Sequence, residues 1–451
     1  MRPSYPRSTP TTSTRREAAT FTTALMAAFM PGASPPEVST AIGAAIRAET
    51  IYDRWSVKIV LATMALTLLA CTGAPDDGST EHLLVLGSAG EIFIIDPTGR
   101  EQTDLAVTAE GSVHLQPTWS PNGTRAVWTE IGKGGPTIGL WDGERVQNVT
   151  APLSPFFYLW NPPADRVAFL GDAASGSGIR LGLLDPSGRT ASEIDAGQPY
   201  YLDWSPAGDQ LVTHVAAERL SLLDQSGAAT PIDITPGSFL APDWTELGVL
   251  AVGTRATDRV AATGTLSGVQ TAARQSSDHL LLFDPISRTT TELSPVDGPV
   301  AFAVSPDRAH IAFTSEVGAV QAVLRVMGAQ GGEPVQIGEV PAVAFQWSPD
   351  SRRLWYLTVD LEAQRLVPRV WEEGRIFDFP GFAPTTAFIR DYLPFWDQYS
   401  RSLTVWSADS TRFVYPAAGA NGDEIFVQTV APEAGPLRVT AGAFASWQPQ
   451  P

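Results

Sequence analysis

Few residues in this chain have the types and spacing that chemistry demands. The five histidines, His82, His114, His214, His279 and His310, are all solitary, whereas a zinc site draws ligands from short-range pairs such as H-E-x-x-H. No G-x-S-x-G turn exposes an activated serine. No run of alternating Asp makes a calcium loop, and no glycine-rich phosphate cradle occurs. These absences lead us to expect no catalytic residue, no metal, no cofactor, and a protein that is not an enzyme. Asp203 and Asp243 stand out by position, since each directly precedes a tryptophan and could face a channel shared by several repeats; as isolated acids they read as solvated strand ends. The run I-R-D-Y-L-P-F-W-D-Q-Y-S-R-S gathers Tyr392, Phe395, Trp396 and Tyr399. On a loop such side chains anchor a partner; between packed elements they fill a gap, and packing is the favoured role. Cys71 is the single cysteine, which excludes an intramolecular disulfide.

The elements that would position these residues come from a repeat. T-W-S-P-N-G-T at Thr118, D-W-S-P-A-G-D at Asp203, Q-W-S-P-D-S-R at Gln346 and V-W-S-A-D-S-T at Val405 share a tryptophan, a tight turn and a following apolar run. The motif tryptophan falls at Trp119, Trp160, Trp204, Trp244, Trp347, Trp406 and Trp447, with Val304 in the equivalent place, and five of the seven intervals lie between 40 and 44 residues. Four strands of about five or six residues plus their turns fill such a period. Proline in the turn presets φ, and Asp or Asn accommodates the next position. A second signature, an apolar strand closed by an Asp turn, recurs at Asp96, Asp185, Asp224 and Asp284, with a shortened version at Asp142. Helical periodicity is nearly absent after His82, so the chain is expected to be all-β.

The W-S-P-D-G unit followed by an alternating strand resembles the TolB-like, WD40-like propeller repeat, and the resemblance covers 82–449. It implies a single β-propeller of four-stranded blades, eight by this spacing and seven as the alternative. Three strands in 82–108 lack a tryptophan strand, and A-F-A-S-W near the end lacks followers. Pairing the C-terminal strand with the N-terminal blade would close the ring and hide the sheet edges. Two long repeats carry inserts, 255–277 and 382–400, expected to project from one rim.

Upstream of the repeat, Arg54 and Lys58 precede an apolar run from Ile59 to Ala70 that is too short to span a bilayer. Leu68-Leu69-Ala70-Cys71 resembles a bacterial lipoprotein signal, which implies acylation of Cys71. The domain order expected is an N-terminal extension over 1–56, a lipoprotein signal peptide over 57–70, a tether over 71–81 and the propeller over 82–451. With a formal charge of -18 and only two lysines, Lys58 and Lys133, nucleic acid is not an expected partner.

The function expected is a lipid-anchored, extracytoplasmic module, monomeric, on the cell surface or in the periplasm, that binds an envelope protein or cell-wall ligand without catalysis. TolB-like proteins imply interaction with envelope proteins. The alternatives are an envelope enzyme acting on glycans or peptides in the channel and a solute-binding accessory of a transporter.

Overall fold

The Trp-Ser turns share one set of hydrogen bonds. In the turn after Trp119, the Ser120 amide donates to the Arg125 carbonyl at 2.9 Å and the Gly123 amide donates back to the Ser120 carbonyl at 2.8 Å. The Ser120 hydroxyl accepts from the Arg125 amide at 2.9 Å. Ser205, Ser348 and Ser407 repeat both backbone bonds. The fourth residue past the tryptophan must take a left-handed conformation, at φ 66° for Gly123, 73° for Gly208, 62° for Ser351 and 59° for Ser410. Glycine adopts it without cost. At Gly123 it is also required by space, because a Cβ would lie 2.2 Å from the Pro449 carbonyl oxygen. The two serines tolerate it while bonding across to the preceding repeat: Ser351 Oγ accepts from the Asp307 amide at 2.8 Å and Ser410 Oγ from the Asp350 amide at 3.1 Å.

The computed structural model describes residues 81–450 except 109–111, 174–177, 217, 262–272, 318–319 and 432. The expectations for the extension, the signal peptide, Cys71 and the tether before Glu81 lie outside these residues.

Thirty strands among the described residues form five four-stranded sheets, one of seven strands and one of three. All ladders between named strands are antiparallel, in the manner of a β-propeller. The seven-stranded sheet is two units joined by one long strand. Val335–Trp347 pairs through its first half with Val320–Gly328 and through its second with Arg353–Asp360. In the three-stranded sheet the inner strand shrinks to a single bridge, Trp406 with Phe413. Phe444–Trp447 pairs with Leu83–Leu86 in the register Leu83 with Trp447 through Leu86 with Phe444, the pairing expected of the two remnants.

The middle strands read as continuous apolar runs because they are covered on both faces, whereas outer strands such as Gln102–Ala106 and Val146–Thr150 are largely exposed. In Leu83–Leu86 and Ile92–Ile95 every residue is buried. Leu84 and Ile94 pack into the large cluster that contains Trp119 and Trp128, while Leu83 and Ile95 pack with Val414, Ile425 and Val427 of the last sheet. Each such side chain contributes about 1.5–3 kcal/mol on burial.

The inserts behave differently from one another. Around 255–277, Gly248–Ala261 and Ala273–Phe283 continue their pairing as far as Ala261 with Ala273, an extended hairpin. The second insert does not project from a rim. It turns inward as a π turn over Phe388–Tyr392, a 3-10 turn over Leu393–Phe395 and an α turn over Trp396–Tyr399. Six large apolar side chains within twelve residues, Phe388, Tyr392, Leu393, Phe395, Trp396 and Tyr399, are more apolar surface than a rim loop can leave in water.

Candidate functional site

The inner strand of a unit is the one that ends at or beside the motif tryptophan, as in Leu153–Trp160, Tyr200–Trp204 and Phe444–Trp447. The second insert follows them from end to end. Thr385 Oγ1 donates to the Ala443 carbonyl at 2.7 Å, just before the Phe444 start of its strand. Tyr392 stacks on Phe444 with ring centres 3.7 Å apart. Midway, the Trp396 indole donates to the Phe345 carbonyl at 3.1 Å and the Tyr399 hydroxyl to the Phe156 carbonyl at 2.9 Å. Gln398 bridges both backbone groups of Leu202, accepting from its amide and donating to its carbonyl at 2.9 Å each. At the tryptophan end, Gln346 Nε2 donates to the Ser400 and Leu403 carbonyls at 2.9 and 2.7 Å. The segment 385–403 therefore threads the axis on which the inner strands converge.

Tyr392, Phe395, Trp396 and Tyr399 are 1%, 8%, 3% and 6% exposed, so the aromatic cluster is a channel filling rather than a set of rim anchors. Edge-to-face and tilted contacts knit it to the sheets, with Phe157 against Tyr399 at 5.2 Å and Trp355 against Trp396 at 5.7 Å. Such pairs add about 0.5–1.5 kcal/mol each beyond area burial. Burial raises the Tyr392 and Tyr399 hydroxyls well above their ordinary pKa.

Where the filling stops, a cavity of about 830 Å³ remains at the tryptophan-turn end. Trp119, Trp160, Trp347 and Trp406 contribute to its wall, with Pro121, Pro306, Pro349 and Pro449 around the mouth. Asp203, Asp243 and Arg401 are the charged side chains in its lining. The two aspartates both line this cavity, and they are not solvated strand ends. Their side chains are 15% and 10% exposed, and Arg401, at 9%, reaches Asp243 Oδ1 at 3.0 Å and Asp203 Oδ2 at 3.6 Å through Nη1.

Each carboxylate also joins neighbouring sheets. Asp203 Oδ2 accepts from the Trp244 amide at 2.9 Å, and Asp243 Oδ2 accepts from the Val304 amide at 3.0 Å. Gln346, in the same phase of its repeat, accepts from the Val405 amide at 2.9 Å. A reciprocal bond runs backward from several tryptophans: the Trp204, Trp347 and Trp406 indoles donate to the Leu159, Ala303 and Gln346 carbonyls at 3.0–3.1 Å. The position before the tryptophan is thus an inter-sheet latch, and its polar occupants could have been found by aligning repeats by phase. Arg401, Asp397 and Gln398 carry no such signal, because the segment holding them repeats nowhere.

Burial pushes the Asp203 carboxyl up to about 7, against the pull of Arg401 and with the charge of Asp243 adding to the rise. Asp397, which accepts from the Ala241 amide at 3.2 Å, is also raised by burial. Although burial opposes its charge, Asp243 and Asp203 hold Arg401 more firmly protonated than usual. The histidines remain apart. His114 and His214 meet the Gly90 and Leu240 carbonyls at 2.7 and 2.8 Å, His82 meets Gln448, and His279 meets Glu292. Among the described residues no three His, Cys, Asp or Glu side chains are grouped to hold a metal ion. No described helix is long and apolar enough to cross a membrane.

No protein-family model matches the sequence, and no curated protein does. Solved structures similar to the chain include one of two prolyl endopeptidases, at 11% identity and a TM-score of 0.50 over 75% of this chain and 50% of that one. TolB from Acinetobacter baumannii is similar at 14% identity and a TM-score of 0.32, over 58% of this chain and 64% of that one. The β-propeller domain of the Trilobed protease from Pyrococcus furiosus gives 10% identity and a TM-score of 0.45, over 73% and 98%. At these identities the likeness is one of fold. The comparison corrects one expectation. That the chain is not an enzyme does not follow from its repeat, since the prolyl endopeptidase shows this fold within an enzyme.

Proposed function

We propose that this chain is an extracytoplasmic β-propeller, tethered to a membrane through an acylated Cys71, that receives an envelope protein segment or cell-wall ligand in the cavity at its tryptophan-turn end. On this reading it is a monomeric ring of eight blades, the seven-stranded sheet counting as two and the bridged Trp406 unit as the last. The ring is closed where Phe444–Trp447 meets Leu83–Leu86. The observation that carries the reading is the one-sided cavity: with 385–403 filling the axis, about 830 Å³ is left open at one end, within the range of ligand pockets. Four tryptophans and four prolines supply contact area there, and Asp203, Asp243 and Arg401 supply a polar floor that fixes orientation. Asp203 and Asp243 act as floor residues; Tyr392, Phe395, Trp396 and Tyr399 act from behind, by holding that floor in place.

The test uses the Cys71→Ser protein, which separates binding from anchoring. It is incubated with isolated cell-wall material and with detergent-solubilised envelope, and mass spectrometry of the bound fraction reads turnover together with binding. Ser402→Trp and Gln450→Trp, which fill the floor and the lip, should each reduce capture by tenfold or more while leaving the melting temperature close to the parent. Equal capture by both filled variants would place the binding surface elsewhere and overturn the reading.

A further inference from the structure

We propose that the cavity floor is a proton-controlled latch: the end of the channel segment is held while the cluster of Asp203, Asp243, Asp397 and Arg401 carries a proton, and loosens when that proton leaves.

The argument starts from charge and geometry. Two of the carboxylates sit on fixed inner strands, Asp203 on Tyr200–Trp204 and Asp243 on Asp243–Thr245. The third, Asp397, and the guanidinium of Arg401 belong to the segment 385–403. Arg401 contacts both strand carboxylates, and Asp397 acts on the same guanidinium. Fully ionised, the floor would set three negative charges against one positive charge beneath a wall of tryptophans. A buried charge without a partner costs several kcal/mol, so a proton held in the cluster, which halves its excess negative charge from two to one, favours the closed arrangement.

Among the described residues that line the cavity there is no cation besides Arg401. From the adjacent strand His214 stacks on Phe239 at 4.2 Å, and burial holds its pKa below the ordinary value, which disfavours its charged form. Tyr201 faces Asp397 as a neutral phenol, its pKa raised by burial. Gln346 is uncharged, and Arg401 is the one cation lining the cavity among the described residues.

The backbone bonds decide which part moves. Asp203 is fixed by the Trp204 and Trp244 amides and Asp243 by the Val304 amide. The mobile partner is the segment end, attached through Arg401, the Ala241 amide on Asp397 and the two bonds from Gln346. Asp203 is raised to about 7 by burial when closed and would fall toward about 4 when solvated. The opening constant therefore grows by up to about tenfold per pH unit between those values and levels off above pH 7. The latch operates whatever the cavity binds, so its failure and the failure of the binding reading are separate results.

Hydrogen exchange on the full-length protein tests it. Protection factors, corrected for intrinsic exchange, are compared for the Ser400–Leu403 amides and for Val127 and Trp128 in an inner region of a sheet. Between pH 5 and 7 the first set should lose protection by tenfold or more and then level off, while the second stays constant. Asp203→Asn, and independently Asp397→Asn should the first variant fold poorly, should flatten the profile. Protection at Ser400–Leu403 that is constant with pH, that falls in step with Val127 and Trp128, or that keeps its slope in a folded Asn variant would overturn the latch.

Discussion

The repeated sheets and the segment 385–403 are held by the same chain under opposite rules. In the sheets most partners lie one strand or one repeat away, as when Ser351 meets Asp307 or Trp347 meets Ala303, and the same bonds recur at Ser410 and at Trp204 and Trp406. The segment has no repeat, and its partners stand far off in sequence: Gln398 bonds Leu202 and Tyr399 bonds Phe156. Local contacts make a sheet specifiable by short sequence, whereas a single axial segment can touch the inner strands of several sheets at once. Damage to the two regions should therefore differ in size and in reach.

The largest effect is expected from Arg401→Met. Removing the cation leaves Asp203, Asp243 and Asp397 facing one another with the segment end unheld, and breaking a buried pair from one side costs about 3–5 kcal/mol. Chemical denaturation should show that loss at neutral pH and a smaller one near pH 4, where the carboxylates take up protons. Trp396→Ala should cost about 3–5 kcal/mol by cavity formation, lowering the whole transition in calorimetry because Trp396 packs against Trp355 and Phe388 and bonds the Phe345 strand.

Asp203 sharpens the comparison through pH. Its folded pKa lies above its unfolded value, so between about pH 4 and 7 the folded state binds more protons and stability falls as pH rises. The slope is at most about 1.4 kcal/mol per pH unit for one proton. Asp203→Asn should remove most of that slope in melting curves across this window. The smallest effect belongs to the repeated region. Ser351→Ala loses one inter-sheet bond while keeping the left-handed backbone, for about 1 kcal/mol; Ser351→Gly relieves the backbone as it loses the bond and should be near neutral.

How much was legible in the sequence follows the same division. The tryptophan turn, the Asp turn and the unpaired remnants at either end pointed to antiparallel four-stranded units and to the pairing of Leu83–Leu86 with Phe444–Trp447, because turn chemistry and strand alternation are local properties. Asp203 and Asp243 were visible by phase, but their burial was not. A carboxylate's partners here are backbone amides of the next repeat and an arginine roughly 160–200 residues away in sequence, and neither leaves a pattern in the chain. The aromatic run was visible as composition alone. That it fills the axis depends on inner elements of unequal length, one cut down to a single bridge at Trp406, leaving room for a helical segment.

The measurement that bears most directly on this account is hydrogen exchange of the Phe388–Tyr399 amides at pH 5, set beside those of the Leu153–Trp160 strand. A segment threaded through the axis predicts protection within about tenfold of that strand. Exchange at the rate of an unprotected loop, with the strand still protected, would mean that the axis is open and that the cavity has no floor.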